Sequence, residues 1–279
     1  MNGLRTLRLI LAAIFLTAAI GCLFIPGGFM PADGLAWRVQ IVPTALGATL
    51  GATLFWIVVS FLAGRVYCST VCPVGSLIDL VVLLRRKISK KPLCFSYRRR
   101  RFSRWDARAI PNQILVLYLL SLVFGILVVG YVIEPWNMMR NLASAVNPAA
   151  TASTWRTLGI SSAVGVAAGV LTVGGVLVWG FFRGRRFCNA VCPIGTVLGA
   201  TESMQLFHLE IDPDKCINCM KCEDVCPAEC IKVVGRYVDN GRCVRCFDCI
   251  AVCPNDAIRL QANRNRPANP LLRRTKKVP

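Results

Sequence analysis

Histidine is nearly absent from this sequence, with one copy, His208, in 279 residues. A haem b clamped by two imidazoles, and most metal sites that need several histidines, are therefore excluded within the chain. Charged residues make up only 17% of the sequence, and among them 33 Lys and Arg outnumber 14 Asp and Glu. Because 55% of the residues are hydrophobic, the composition excludes a single soluble domain, a disordered protein and a nucleic-acid-binding tail protein.

Four charge-free stretches are suited to crossing a membrane. A helix needs about 20 apolar residues to span the hydrocarbon core, and in lipid its backbone must pair internally. The stretches are Leu9–Ile25, Val39–Gly64, Ala109–Ile133 and Thr157–Phe182. Together with a mean hydropathy of +0.54, they predict four transmembrane helices. The alternative for the first stretch is a signal peptide, but its cleavage would leave an odd number of spans.

Lysine and arginine are divided very unequally between the two sides of this arrangement. The N-terminus, the loop 65–108 and residues 183–279 hold 30 of them, while the other side holds Arg38, Arg140 and Arg156. The excess predicts cytoplasmic termini and a cytoplasmic middle loop; the resemblance described below implies that the membrane is the bacterial inner membrane. The basic loop is interpreted as a topology signal that contacts anionic lipid headgroups, and a docking surface for an acidic partner is the alternative.

Two cysteine runs near the C-terminus carry the most specific motif. Residues 216–227 and 243–254 each read C-x2-C-x2-C-x3-C-P, the pattern of bacterial two-cluster ferredoxins. Three closely spaced thiolates can wrap one corner of a cubane, and the fourth, followed by proline, crosses to the other cluster. Zinc knuckles also use C-x2-C pairs and are the alternative. The predicted [4Fe–4S] ligand sets are Cys216, Cys219, Cys222 and Cys253 for cluster one, and Cys243, Cys246, Cys249 and Cys226 for cluster two.

The region around these runs resembles bacterial 2[4Fe–4S] ferredoxins, which implies a small α+β ferredoxin-like domain. We assign it to residues 206–262, followed by a basic tail over 263–279. Cys230 belongs to neither ligand set and is expected to be a small buried residue. His208 is expected to make a surface or interdomain contact. Thiolate clusters persist in reducing surroundings, which agrees with a cytoplasmic location.

A second cysteine motif occurs twice, 120 residues apart. Residues 64–76 and 184–196 share the pattern G-R-x-aromatic-C-x-x-V-C-P-aliphatic-G-[ST]. The membrane domain, residues 1–205, is therefore predicted to be two copies of a helix pair followed by a C-x3-C-P elbow. Each C-x3-C pair is expected to place its two sulfurs one helical turn apart on one face. The alternatives for these thiols are a redox-active dithiol or two structural turns. The candidate ligands of a third metal centre are Cys68, Cys72, Cys188 and Cys192.

Four spans, two elbows and two ferredoxin runs, in this order, resemble the NapH/MauN family of membrane ferredoxin-type proteins over nearly the whole chain. The resemblance implies an electron-transfer component of a quinol dehydrogenase. Such a component draws electrons from quinol and passes them, through an iron–sulfur or cytochrome c partner, towards a periplasmic reductase such as nitrate reductase. A maturation or assembly role, or a redox-sensing scaffold related to NosR, is the alternative. The resemblance implies neither haem nor nucleic acid.

Polar groups at the outward ends of the predicted spans are candidates for handling quinol. Glu134 directly follows the third stretch, where a carboxylate can accept a quinol proton. Arg38 and Trp136 are the other candidates, and Trp37 could flank a quinone ring together with Trp136. The alternative is an aromatic belt with a solvated acid.

Overall fold

The computed structural model describes residues 2–25, 50–88, 104–124, 128–147 and 162–262. A short 3-10 turn, Thr201–Met204, precedes the first strand. In the described ranges the helices are α1 (Asn2–Phe24), α2 (Leu50–Ala63), α3 (Tyr67–Thr70), α4 (Pro73–Ile88), α5 (Arg104–Val123), α6 (Val128–Ile133), α7 (Pro135–Ala143), α8 (Ser162–Arg183), α9 (Arg186–Ala190), α10 (Pro193–Ala200), α11 (Lys221–Val225) and α12 (Asp248–Val252). The strands are β1 (Phe207–Ile211), β2 (Ile231–Lys232), β3 (Tyr237–Val238) and β4 (Ile258–Ala262).

Two helices are long and apolar enough to cross a membrane, by length and composition, namely Gly3–Phe24 and Ala163–Arg183. Two shorter apolar helices, Thr53–Ala63 and Ala109–Val123, fall within the second and third predicted stretches. The start of the second stretch, up to residue 49, lies outside the described residues. The described ranges thus provide two candidate spans where the sequence predicts four.

The apolar helices leave large hydrophobic side chains on the surface. A single exposed apolar residue would be unremarkable, but exposed residues recur along each of these helices. An exposed apolar surface of this extent marks a contact with a membrane or a partner. Examples are Leu7 and Ile14 on α1, Leu117 and Leu120 on α5, and Leu171 and Phe182 on α8.

The first helix begins earlier than its apolar stretch predicts. It starts at Asn2 rather than near Leu9, and so carries Arg5 and Arg8. Arg5 pairs with Asp248, with 2.9 Å between Nε and Oδ1, and Arg8 pairs with Asp79. These ion pairs allow two charged residues to join a helix that is otherwise apolar.

Part of the basic loop 65–108 forms the first elbow and α4, and its described arginines Arg65, Arg85 and Arg86 have partners within the chain. Arg65 is buried. Arg86 donates to Asp248 Oδ2 at 3.0 Å and to the Val225 carbonyl at 2.7 Å. The interpretation as a lipid-contacting loop is therefore wrong for Arg65, because it is buried, and for Arg86, because it binds Asp248 and the Val225 carbonyl. The run Arg98–Arg101 lies outside the described residues.

The C-terminal module contains two small antiparallel sheets and two short helices. Strand β1 pairs with β4, with Phe207 opposite Ala262 and Ile211 opposite Ile258, and β2 pairs with β3. His208 lies within β1 of this module and is buried, so the expectation of a surface contact is wrong.

Candidate functional site

The two elbows have the same construction. In each, a short helix ends before the second cysteine, and a new helix begins at the proline that follows it, Pro73 or Pro193. The equivalent backbone hydrogen bonds match: Cys72 N to Tyr67 O and Cys192 N to Phe187 O are both 3.1 Å. The two elbows thus share one backbone conformation.

The two cysteines of each elbow do not lie on one continuous helix, contrary to expectation. Cys192 is extended, with ψ 118°, and precedes the first residue of α10. The residue before a proline is driven out of the helical region by the proline ring. The chain therefore turns between the two cysteines instead of continuing as a helix.

All four elbow thiols are buried and lie close enough to influence one another. Burial raises the pKa of Cys72, and the neighbouring Cys188 and Cys68 raise it further. Burial likewise raises the pKa of Cys192 well above its usual value, followed by the effects of Cys188, Cys68 and Cys72. The fold brings together the four thiols that the sequence singled out.

The motif arginines bind the two elbows to each other reciprocally. Arg65 of the first elbow donates from Nη2 to the Cys188 carbonyl at 2.7 Å. Arg185 of the second elbow donates from Nη1 to the Cys68 carbonyl at 2.6 Å. Sequence reasoning gave these arginines no role, although the shared G-R at the start of both motifs was the available signal.

A glycine is required where each elbow folds back on itself. A Cβ added at Gly75 would collide with the Cys68 carbonyl oxygen, and one added at Gly195 would collide with that of Cys188. The glycine that opens each motif has a positive φ, 75° at Gly64 and 61° at Gly184, a region that glycine adopts without strain. The motif glycines are therefore explained by backbone geometry.

One predicted ferredoxin ligand set lines a cavity. Cys216, Cys219, Cys222 and Cys253 all border it, together with apolar residues that include Val233. This is the cluster-one set, including the crossed cysteine from the second run.

The other predicted set is also gathered in one place. The thiol of Cys249 lies within electrostatic range of Cys246, Cys243 and Cys226, and also of Cys222 in the first set. The loops of the two runs have residues with a positive φ, in the left-handed region, at equivalent positions. They are Asn218 and Met220 in the first run, and Arg245 and Phe247 in the second.

Cys230 is buried, as expected, and its thiol lies beside two cluster-two cysteines. Its sulfur is 3.5 Å from that of Cys226. A hydrogen bond from Cys230 lowers the pKa of Cys243 to about 6. The equivalent position of the second run is Ala257, so the thiol is an addition to one half of the module.

Within the described part of the chain, no three His, Cys, Asp or Glu side chains converge as ligands of a single metal ion must. A four-iron cluster takes one thiolate at each iron and so spreads its ligands more widely. Buried thiols with adjacent guanidinium groups suit such an anionic group.

The second elbow contacts the ferredoxin module directly. The Arg185 backbone N–H donates to the Pro227 carbonyl at 2.7 Å, and Asn189 Nδ2 donates to the Ala228 carbonyl at 3.1 Å. From the first elbow, Arg65 Nη1 donates to the Gly241 carbonyl at 3.2 Å. The elbow cysteines and the cluster-two loops are therefore neighbours.

Two of the quinol candidates, Glu134 and Trp136, are buried at the start of α7. Burial raises the pKa of Glu134 to about 8, against the lowering effects of Arg140 and Asn137. Tyr118 lies within electrostatic range of both Glu134 and Cys192. The alternative of a solvated acid in an aromatic belt is wrong for this pair. Arg38 and Trp37 lie outside the described residues.

A family model described as a 4Fe-4S binding domain matches residues 46–92 and 165–204, which contain the two elbows. Another with the same description matches residues 209–232, which contain the first ferredoxin run. No solved structure matches the chain. The chain is an iron–sulfur protein by these matches.

Three relatives illustrate the similarity. An uncharacterized protein of Methanocaldococcus jannaschii is 28% identical over 82% of this chain and 76% of its own length. The ferredoxin-type protein NapH of Haemophilus influenzae is 29% identical over 70% of this chain and 58% of its own length. The methylamine utilization ferredoxin-type protein MauN of Paracoccus denitrificans is 28% identical over 66% of this chain and 56% of its own length. The chain thus spans little more than half the length of NapH and of MauN. Its motifs and these similarities identify it as a ferredoxin-type protein of the NapH/MauN family.

Proposed function

We propose that this protein is the membrane electron-transfer subunit of a quinol-oxidising complex. The observation that carries the proposal is the closeness of the quinol candidates, the elbow thiols and the ferredoxin cysteines. Tyr118 is within electrostatic range of both Glu134 and Cys192, and Arg65 is within range of both Cys188 and Cys243. These proximities connect the quinol candidates with the elbow thiols, and the elbow thiols with the ferredoxin cysteines.

Glu134 and Trp136 suit quinol chemistry. Oxidation of a quinol releases two electrons and two protons, and the Glu134 carboxylate is suited to accept a proton. Glu134 Oε1 and Trp136 Nε1 are buried and have no hydrogen-bond partner among the described residues. Buried polar atoms of this kind require a partner, and the two hydroxyls of a quinol would supply one.

Iron–sulfur clusters held by the cysteines would supply one-electron acceptors. We propose the two crossed ferredoxin sets as ligands of two [4Fe–4S] clusters, and the four elbow cysteines as ligands of a third. The match of a 4Fe-4S family model to the elbow regions supports the third centre.

The proposed organisation is a four-span membrane domain over residues 1–205, a ferredoxin-like domain over 206–262 and a basic tail. The exposed apolar faces of the long helices and the distribution of basic residues support a multi-pass inner-membrane protein with a cytoplasmic ferredoxin domain. Electrons would leave through an iron–sulfur or cytochrome c partner towards a periplasmic reductase.

Iron and sulfide analysis of the purified chain, with EPR, tests the cluster assignment. Two four-iron clusters would carry about eight irons, and a third would bring the total to about twelve. Anaerobic addition of quinol tests the reaction, and we expect it to reduce the iron–sulfur signals. A chain with all its clusters that no quinol reduces would overturn quinol oxidation.

The four elbow cysteines should behave as one unit. Separate Cys→Ala variants of Cys68, Cys72, Cys188 and Cys192 should each lose electron transfer, because a four-thiolate site has no spare ligand. Replacing a cysteine that only packs would lower the free energy of unfolding by about 1 kcal/mol and would leave electron transfer intact. Near-normal turnover in any one variant, with ferredoxin clusters intact, would reject the shared centre.

A further inference from the structure

We propose that Arg65 and Arg185 are positioning residues that provide the counter-charge for the elbow centre, and so set its retention and its reduction potential. The inference rests on the proposed function, because it requires a third cluster at the elbows.

Both guanidinium groups are among the most deeply buried side chains of the described residues. Arg65 is 2% exposed and Arg185 is 0% exposed. Within the described ranges, the partners of Arg65 are the Asn189 amide oxygen and the carbonyls of Gly241 and Cys188, all of them neutral. A buried charge is costly unless an opposite charge accompanies it. Direct contacts in the described part of the chain therefore give Arg65 no anion.

Among the described residues, the one anion that Arg185 contacts is a carboxylate that it shares with another arginine. Its Nε donates to Asp79 at 2.6 Å, and Asp79 also pairs with Arg8. By direct contact Arg8, Arg65 and Arg185, three of the four buried arginines of the described residues, thus have a single carboxylate between them, which leaves these three with an excess of two positive charges. A four-iron core of charge about 2+ held by four thiolates carries a net charge of about −2, which would balance that excess.

Unpartnered donors remain on both arginines. Arg65 Nε and Arg185 Nη2 are buried without a hydrogen-bond partner among the described residues. The charges of both arginines are within electrostatic range of Cys188, and that of Arg185 is also within range of Cys72. The unpartnered donors and the charge excess therefore occur beside the thiols.

The test uses the full-length protein with Arg65→Gln, Arg65→Lys and Arg185→Gln. Arg85→Gln is the matched control, because Arg85 donates to the Phe181 carbonyl instead. Iron content and an EPR redox titration are measured for each. Reduction adds negative charge that a nearby cation stabilises, so the Gln variants should lose the elbow irons or shift the elbow centre to lower potential. We expect at least a tenfold change in its reduced-to-oxidised ratio, which is about 59 mV for one electron.

Arg65→Lys should retain the wild-type iron content with a smaller shift, because it keeps the charge. A wild-type potential in Arg65→Gln would overturn the inference, and so would a defect in Arg65→Lys as severe as in Arg65→Gln. A wild-type chain with iron for only two clusters is a different result, because it removes the proposed elbow centre itself.

Discussion

Single residues in the elbows are constrained by backbone contacts more than by packing of side chains. Gly75 and Gly195 each face the carbonyl of the first cysteine in their own elbow. The same carbonyls accept hydrogen bonds from the arginine of the opposite elbow. A change at either glycine therefore acts on both halves of the repeat.

Gly75→Ala and Gly195→Ala should each destabilise the elbows, because the added methyl group collides with a carbonyl that cannot move without losing its arginine. We expect a cost of about 1–3 kcal/mol and a loss of elbow iron, measured on purified protein. Gly174→Ala is the control, since a Cβ there meets nothing within 4 Å. Full iron content in both elbow variants would contradict this account.

Glu134→Gln should lower quinol oxidation by about a hundredfold, the range for loss of a general base. Because burial raises the pKa of Glu134 to about 8, the carboxylate forms as the pH rises through that value. The wild-type rate should therefore increase across this range, and the Gln variant should show no such rise. A pH–rate profile of both proteins is the measurement, and identical profiles would exclude this role.

At the scale of elements, the ferredoxin module repeats one loop and one short helix. Each run has left-handed residues at equivalent positions, and each helix, α11 or α12, ends before a Cys-Pro pair. The cysteine before each proline lies near the thiols of the other run. The proximity of Cys253 to the first run and of Cys226 to the second thus favours the crossed ligand sets.

Cys226→Ser should damage cluster two and spare cluster one, whereas Cys253→Ser should do the reverse. Each substitution removes the crossed ligand of one set only. EPR of the two variants distinguishes the clusters. Loss of the cluster held by Cys216, Cys219 and Cys222 in Cys226→Ser would disprove the crossed assignment.

At the scale of the whole molecule, arginines fasten the ferredoxin module to the helices. Asp248 accepts hydrogen bonds from Arg5 of α1 and Arg86 of α4. The ends of the helices that carry these arginines must lie on the same side as the module. We infer from the charge asymmetry of the sequence that this side is cytoplasmic.

Reporter fusions at residue 100 and at Pro279 should therefore both be cytoplasmic. Alkaline phosphatase should be inactive at both positions, and a cytoplasmic fluorescent reporter should be active. A phosphatase fusion near residue 150, which the proposed topology assigns to an outward loop, is the control and should be active. Phosphatase activity at Pro279 would refute the proposed four-span topology.

The sequence predicts local chemistry well, because cysteine spacing is a property of short segments. The two elbows and the ferredoxin runs were predictable for that reason. The reciprocal bonds of Arg65 and Arg185 were not, because they join positions 123 and 117 residues apart and no periodicity specifies which surfaces meet. The burial of Glu134 was missed for a similar reason, since it depends on the packing of α7 against other helices.

The exchange of hydrogen bonds between the elbows has a consequence for biosynthesis. At about 5–20 residues per second, the second elbow leaves the ribosome roughly 6–24 s after the first. During this interval Cys68 and Cys72 are made, but Arg185, Cys188 and Cys192 are not. The proposed four-thiolate elbow centre could therefore be loaded only late in synthesis, and for that centre to form, the first pair of thiols would have to stay reduced and unligated until the second elbow is made.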